Sequence, residues 1–244
     1  MRRIHRPALP SSTALALRKK QARVDVRKKD GTINGTWIQS TWRSAVRTKN
    51  LKSVRTILET ISDSRCMYCE NSEGTDLEHF RPKTKYPEAM FKWENLLLGC
   101  SGCNRCKGDD FPMDEKTPLL LDPTREEPWD HLDFDPRTGN IVARFLPEEG
   151  TYSFKGMETV RILQLDRREA VGRRYKRSWR RIVAVLEELP IEGWPADELM
   201  QKLGLADEHG LLHWCFHGSG KREPAIEMFR LTHPELWDIC KHST

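Results

Sequence analysis

Two Cys-x-x-Cys pairs, Cys66/Cys69 and Cys100/Cys103, are separated by thirty residues, and no other feature constrains the fold of this chain more. Four thiolates at knuckle spacing are the tetrahedral set that a structural Zn²⁺ takes. An ion bound by all four would close residues 66–103 into a loop. The gap is longer than the 15–20 residues of a simple zinc ribbon, so it must contain structure of its own. Cys106 competes for a place in the set, because Cys103-x2-Cys106 has the same spacing; Cys215 and Cys240 stand apart. The start, MRRIHRPALP, is basic but has no apolar run behind it, and no stretch approaches the length of a membrane span. A cytoplasmic protein is therefore expected, in which seven cysteines would stay reduced.

Charge is unevenly spread. Residues 1–60 hold 15 Lys/Arg against 3 Asp/Glu, and residues 161–181 hold 9 against 2. Two basic blocks on a chain of net charge +5 point to a polyanion such as nucleic acid, or else to solvated surfaces. Apolar spacing predicts helices over 11–29, with Ser11 or Ser12 as N-cap, and over 36–62. HLDFDPRTGNIVARF predicts a hairpin turning at TGN. Val171, Tyr175, Trp179, Ile182, Leu186 and Leu189 predict a long helix, capped by Asp166 with Glu169 and closed by Pro190. Two or three short helices are expected over 195–240.

Inside and just after the cysteine gap lie Glu78-His79 in DLEHFRPK, Asn95 in WENLLLGC, Asn104 directly after Cys103, and Lys107. A lone histidine is more often a hydrogen-bonded turn residue than a catalyst. This set, however, resembles an HNH endonuclease, whose pattern is an acid followed by His, a central Asn, and an ending C-x-x-C-[HN]-x-x-K. Because Asn104 follows Cys103 at once, Cys100/Cys103 is preferred to Cys103/Cys106 as the second zinc pair. EHFRPK, W-x-NLL, Phe111-Pro112, LLLDP at 119–123 and the opening MRRIHRP resemble more narrowly the PtuB-type nucleases of Septu anti-phage systems and of retrons that carry a Septu-like pair.

The resemblance implies an α+β, mainly helical fold. A ββα-metal (HNH) unit with a four-cysteine zinc cage would be flanked by helices. The parts would be a basic helical segment at 1–62, the nuclease core at 63–112, a loop and hairpin extension at 113–160, and a helical region at 161–244. It implies that His79 takes the proton of the attacking water and that Glu78 and Asn104 hold one Mg²⁺ or Mn²⁺. Asn95 completes the catalytic set by steadying the loop that carries His79. Asp76 is a weaker ligand candidate. Arg81, Lys83 and Lys107, with Arg173, Arg174 and Arg177, are expected to contact nucleic acid, DNA before RNA or tRNA. The implied partner is a PtuA-like ATPase, with a reverse transcriptase and its msDNA in the retron version. The competing reading is a zinc-knuckle binding module without catalysis.

Two look-alikes are set aside. HGSGKRE at 217–223 lacks the first glycine and the Ser/Thr of a phosphate loop. His209, His213 and His217 could share a helix face, but structural roles are favoured for them.

Overall fold

The computed structural model describes residues 1–71 and 73–244, about half of them helical, with four two-stranded antiparallel sheets among the described residues. Two compact units form. One comprises residues 4–68 and 72–118; the other comprises 119–244 with 1–3 and 69–71.

In the first unit, α1 (Ser11–Lys29) buries Thr13, Leu17, Gln21 and Val24 along one stripe and leaves its basic residues outside. Arg27, Lys28 and Lys29 end the helix where cations suit its dipole. The helix begins after Pro10, and neither Ser11 nor Ser12 caps it. The 36–62 pattern divides into α2 (Gly35–Ala45) and α3 (Lys49–Ile61). Thr48 turns to extended backbone and donates its hydroxyl to the Ala45 carbonyl at 2.7 Å, which breaks the run. Asn34 caps α2 by accepting from the Trp37 N–H. Strands β1 (Asp76–His79) and β2 (Leu96–Gly99) pair antiparallel, Asp76 opposite Gly99 and His79 opposite Leu96, and α4 (Ser101–Lys107) follows at once. Gly108 ends α4 at φ +47°, a backbone region that favours glycine.

The loop between β1 and β2 is anchored from α1. Gln21, buried, donates to the Pro87 carbonyl at 3.0 Å and accepts from the Phe91 N–H at 2.7 Å. A buried amide satisfied by two backbone groups fixes that stretch of loop. A small hairpin, β3 (Met113–Asp114) with β4 (Thr117–Pro118), ends the unit.

In the second unit, β5 (Leu132–Phe134) pairs with β6 (Ile141–Ala143) as the hairpin pattern predicts. Asp135 holds its turn by accepting from the Arg137 N–H and the Thr138 hydroxyl. A shorter hairpin, β7 (Phe145–Leu146) with β8 (Thr151–Tyr152), leads to α5 (Phe154–Leu163) and then α6 (Glu169–Glu187). Helix α6 buries Val171, Tyr175, Trp179, Ile182 and Leu186. The Asp166 cap is corrected: Gln164 ends α5 in the left-handed region and the chain turns until Arg168, so Asp166 stands too early to cap. Four α-helices follow rather than two or three: α7 (Ala196–Ala206), α8 (Leu212–His217), α9 (Pro224–Thr232) and α10 (Pro234–Ser243). An aromatic cluster of Phe134, Trp179 and Trp214 fills the centre, with ring centroids 5.2–6.5 Å apart. Among the described residues no helix is long and apolar enough to cross a membrane.

The three histidines do not share a helix face. His209 precedes α8 and is buried against Tyr175, its Nδ1 2.8 Å from the Ser178 hydroxyl. His213 and His217 stack on each other at 4.4 Å. HGSGKRE forms a short 3₁₀ turn at Ser219–Arg222, with Gly220 against Trp214.

Candidate active site

Cys66, Cys69, Cys100 and Cys103 converge, all buried, with ligand atoms within 4.8 Å of one another. A tetrahedral zinc with Zn–S near 2.3 Å needs sulfurs roughly 3.8 Å apart, so this set fits the ion. Local structure puts the sulfurs there. Met67, inside the first knuckle, donates its N–H to the Leu98 carbonyl and so draws the knuckle against β2. Cys100 stands at the N-cap of α4, and its sulfur accepts from the Cys103 N–H at 3.4 Å. Cys106, only half-buried on α4, lies outside the set.

β1 ends at His79, whose side chain is 3% exposed. Its Nε2 lies 3.0 Å from the Met90 carbonyl. A carbonyl only accepts, so Nε2 carries the proton and Nδ1 keeps its lone pair. The indole of Trp42 meets the ring edge-on, centroids 4.2 Å apart. Burial, and then the nearby Lys83 cation, lower the imidazole pKa from 6.5 to about 3. The ring is therefore neutral at cellular pH, and it is a much weaker base than the sequence alone implies.

Asn95 spends its whole amide on backbone. Its Oδ1 accepts from the Arg81 N–H at 2.7 Å, and its Nδ2 donates to the carbonyls of Arg81 (3.1 Å) and Ala89 (3.0 Å). With these bonds it ties together the two ends of the loop, including the stretch beside Met90. These bonds hold the loop that follows His79, the bridging contact expected of Asn95.

Lys107 is also corrected. It is 1% exposed, and its ammonium donates to Glu78 Oε1 and to the His79 carbonyl, both at 2.8 Å. A lysine enclosed in this way cannot reach a phosphate. Glu78, 6% exposed, has its pKa raised by burial despite the opposing pull of Lys107. Asp76 shares a strand face with Glu78, two residues away. It approaches Asn104, whose Nδ2 is 3.5 Å from Asp76 Oδ2. Asp76, on sequence the weaker ligand candidate, faces α4 together with Glu78, as their spacing of two along the strand allows.

Trp42, Lys52, Arg55, Asp76, Glu78, His79, Lys83 and Asn104 line one cavity of about 460 Å³. Burial lowers the Lys83 pKa, against the pull of Glu78 and Asp109. Arg81 lies over the rings of Tyr86 and Phe111, 5.4 Å from each centroid. In the second unit, Arg173 pairs with Glu169 at 3.0 Å, Arg174 donates to the Asn71 carbonyl at 2.8 Å, and Arg177 is exposed.

Two curated proteins share sequence with this chain. Septu protein PtuB of Bacillus mycoides (strain KBAB4) is 32% identical over 156 residues, covering 51% of this chain and 50% of the relative. The chain resembles Septu protein PtuB. A second protein of that name, from Bacillus thuringiensis, is 34% identical over 84 residues, 32% of each chain. The chain thus spans half or less of the length of the curated relatives it matches. No family model matches it, and no solved structure does.

Proposed function

We propose that this protein is a metal-dependent HNH-type endonuclease that hydrolyses phosphodiester bonds, DNA before RNA, in cytoplasmic anti-phage defence. The observation that carries the reading is the fixed tautomer of His79. Its Nε2–H is committed to the Met90 carbonyl, so Nδ1 keeps its lone pair, and His79 lines a cavity that Asp76, Glu78 and Asn104 also line. In this reading His79 accepts the proton of a water in line with the leaving oxygen. An imidazole with a pKa near 3 holds a proton poorly in the resting site, and the negative charge of a bound phosphate raises its basicity.

Asp76 and Asn104 each carry a hard oxygen of the kind Mg²⁺ and Mn²⁺ take; the Asn104 Nδ2 now faces Asp76 Oδ2 at 3.5 Å, so the amide would turn its oxygen toward a bound ion. Glu78 would join them with the oxygen that Lys107 leaves open. Such an ion, when bound, neutralises charge on the phosphate and leaving oxygen. The zinc cage fixes the ends of β2 and α4 and takes no part in the chemistry.

Similarity to Septu protein PtuB supports the defence role and, with it, a PtuA-like ATPase partner. A retron assembly with a reverse transcriptase and its msDNA is the wider version of the same proposal. The competing reading is a zinc-knuckle binding module with no catalysis. Plasmid DNA is incubated with the protein, alone and co-expressed with its ATPase, after EDTA treatment and then with Mg²⁺ or Mn²⁺ restored. Metal-dependent nicking is expected; binding without cutting under every metal, with the ATPase present, selects the binding module.

A further inference from the structure

Helices α2 and α3 precede the cysteine-rich segment, yet they form one wall of the cavity that holds His79. Trp42 and Lys52 and Arg55 line it from there, and Lys83 lines it from the β1–β2 loop. The charges are sorted, with carboxylates on β1 and cations on α3. The cations of α3 are placed against helix electrostatics. Lys49 and Lys52 stand in its first turn, which holds no acid, and Thr48 makes no side-chain cap. The N-terminal end of a helix is positive and favours anionic side chains. Cations gathered there disfavour the helix and favour a bound anion, the kind of local conflict that marks functional positions. Lys52 and Arg55 lie three residues apart on one face, and both are exposed. Arg55 gives its Nε–H to Glu59 at 2.7 Å, one donor of the five on a guanidinium. Trp42 meets both the ring of His79, at 4.2 Å, and that of Phe91, at 5.7 Å.

We propose that α2 and α3 complete the site: Lys52 and Arg55 bind phosphates of a nucleic-acid strand lying at the cavity, and Trp42 positions the imidazole of His79. The role of Trp42 rests on the nuclease reading; the phosphate contacts do not. The clamp is therefore tested without cleavage, in the full-length zinc-loaded His79→Ala protein without Mg²⁺. Anisotropy of labelled single-stranded DNA, duplex DNA and RNA is followed from about 50 to 200 mM salt. Adding Lys52→Ala and Arg55→Ala should raise Kd about tenfold or more and reduce the log–log salt slope by about one to two. The probe most affected identifies the strand type. Unchanged affinity and slope on all three probes overturn the clamp, whatever the cleavage assay shows. For Trp42, Trp42→Ala should lower kcat on the order of 10²-fold at constant KM and zinc content, with Trp42→Phe restoring it. An unchanged kcat, or zinc lost in step with turnover, overturns the positioning role.

Discussion

Replacing Lys107 by Met probes the buried junction that joins α4 to β1. Methionine keeps most of the apolar stem and removes only the ammonium. Two charge-assisted hydrogen bonds of 2.8 Å disappear, and Glu78 is left buried without its cation. Breaking a buried ion pair on one side costs about 3–5 kcal/mol. Much of that cost is escapable, because Glu78 can take a proton. Its pKa is already raised by burial, and removing the opposing Lys107 raises it further. A carboxyl whose folded-state pKa is raised costs stability as pH rises. The deficit of the variant should therefore grow by about 1.4 kcal/mol per pH unit between the wild-type and variant Glu78 values. Below the window only the lost bond to the His79 carbonyl remains, at about 1 kcal/mol. Urea unfolding of both proteins at several pH values from 5 to 8, with zinc held constant, measures the difference. A deficit independent of pH, or one below 1 kcal/mol throughout, refutes the buried-pair argument.

Other perturbations separate the remaining parts of the site. Asn95→Ala removes three hydrogen bonds to backbone and should cost about 3 kcal/mol at roughly 1 kcal/mol each; a thermal-unfolding loss under 1 kcal/mol contradicts the role given to Asn95. Cys69→Ser should lower bound zinc and stability together, read by metal analysis and calorimetry, and full zinc content would refute the cage. His79, held near pKa 3 in the fold, takes up a proton more readily in the unfolded chain. Its contribution is present above pH 6.5 and is lost as pH falls toward 3. Between pH 7 and 5 the wild type should lose about 2 kcal/mol more than His79→Gln; equal losses in parallel denaturant titrations would show that the ring is not buried neutral.

The parts of the site legible in the sequence were those carried by local spacing. The doubled knuckle marked the four-cysteine cluster, DLEH and Asn104 lie on the cavity wall, and Asn95 braces the loop beside it. The long α6 was readable because its buried positions recur every three or four residues. Main-chain partners leave no sequence mark, so neither the Met90 carbonyl on His79 nor the Gln21 bonds behind it could be foreseen. Lys107 was misread because lysine is almost always exposed; only the packing of α4 on β1 puts its ammonium inside. The break at Thr48 was hidden because α2 and α3 each bury their own apolar stripe, and together these read as one pattern. The false cap at Asp166 arose because a left-handed residue at Gln164 delays the start of α6.

In the proposed reaction the imidazole of His79 takes the proton of the water that cuts a phosphodiester. Its most direct test is single-turnover cleavage by His79→Ala beside the wild type, with Mg²⁺ and the ATPase present and with DNA affinity measured in the same samples. The rate should fall by a factor of order 10²–10⁴ with affinity retained. Cleavage at the wild-type rate would contradict it.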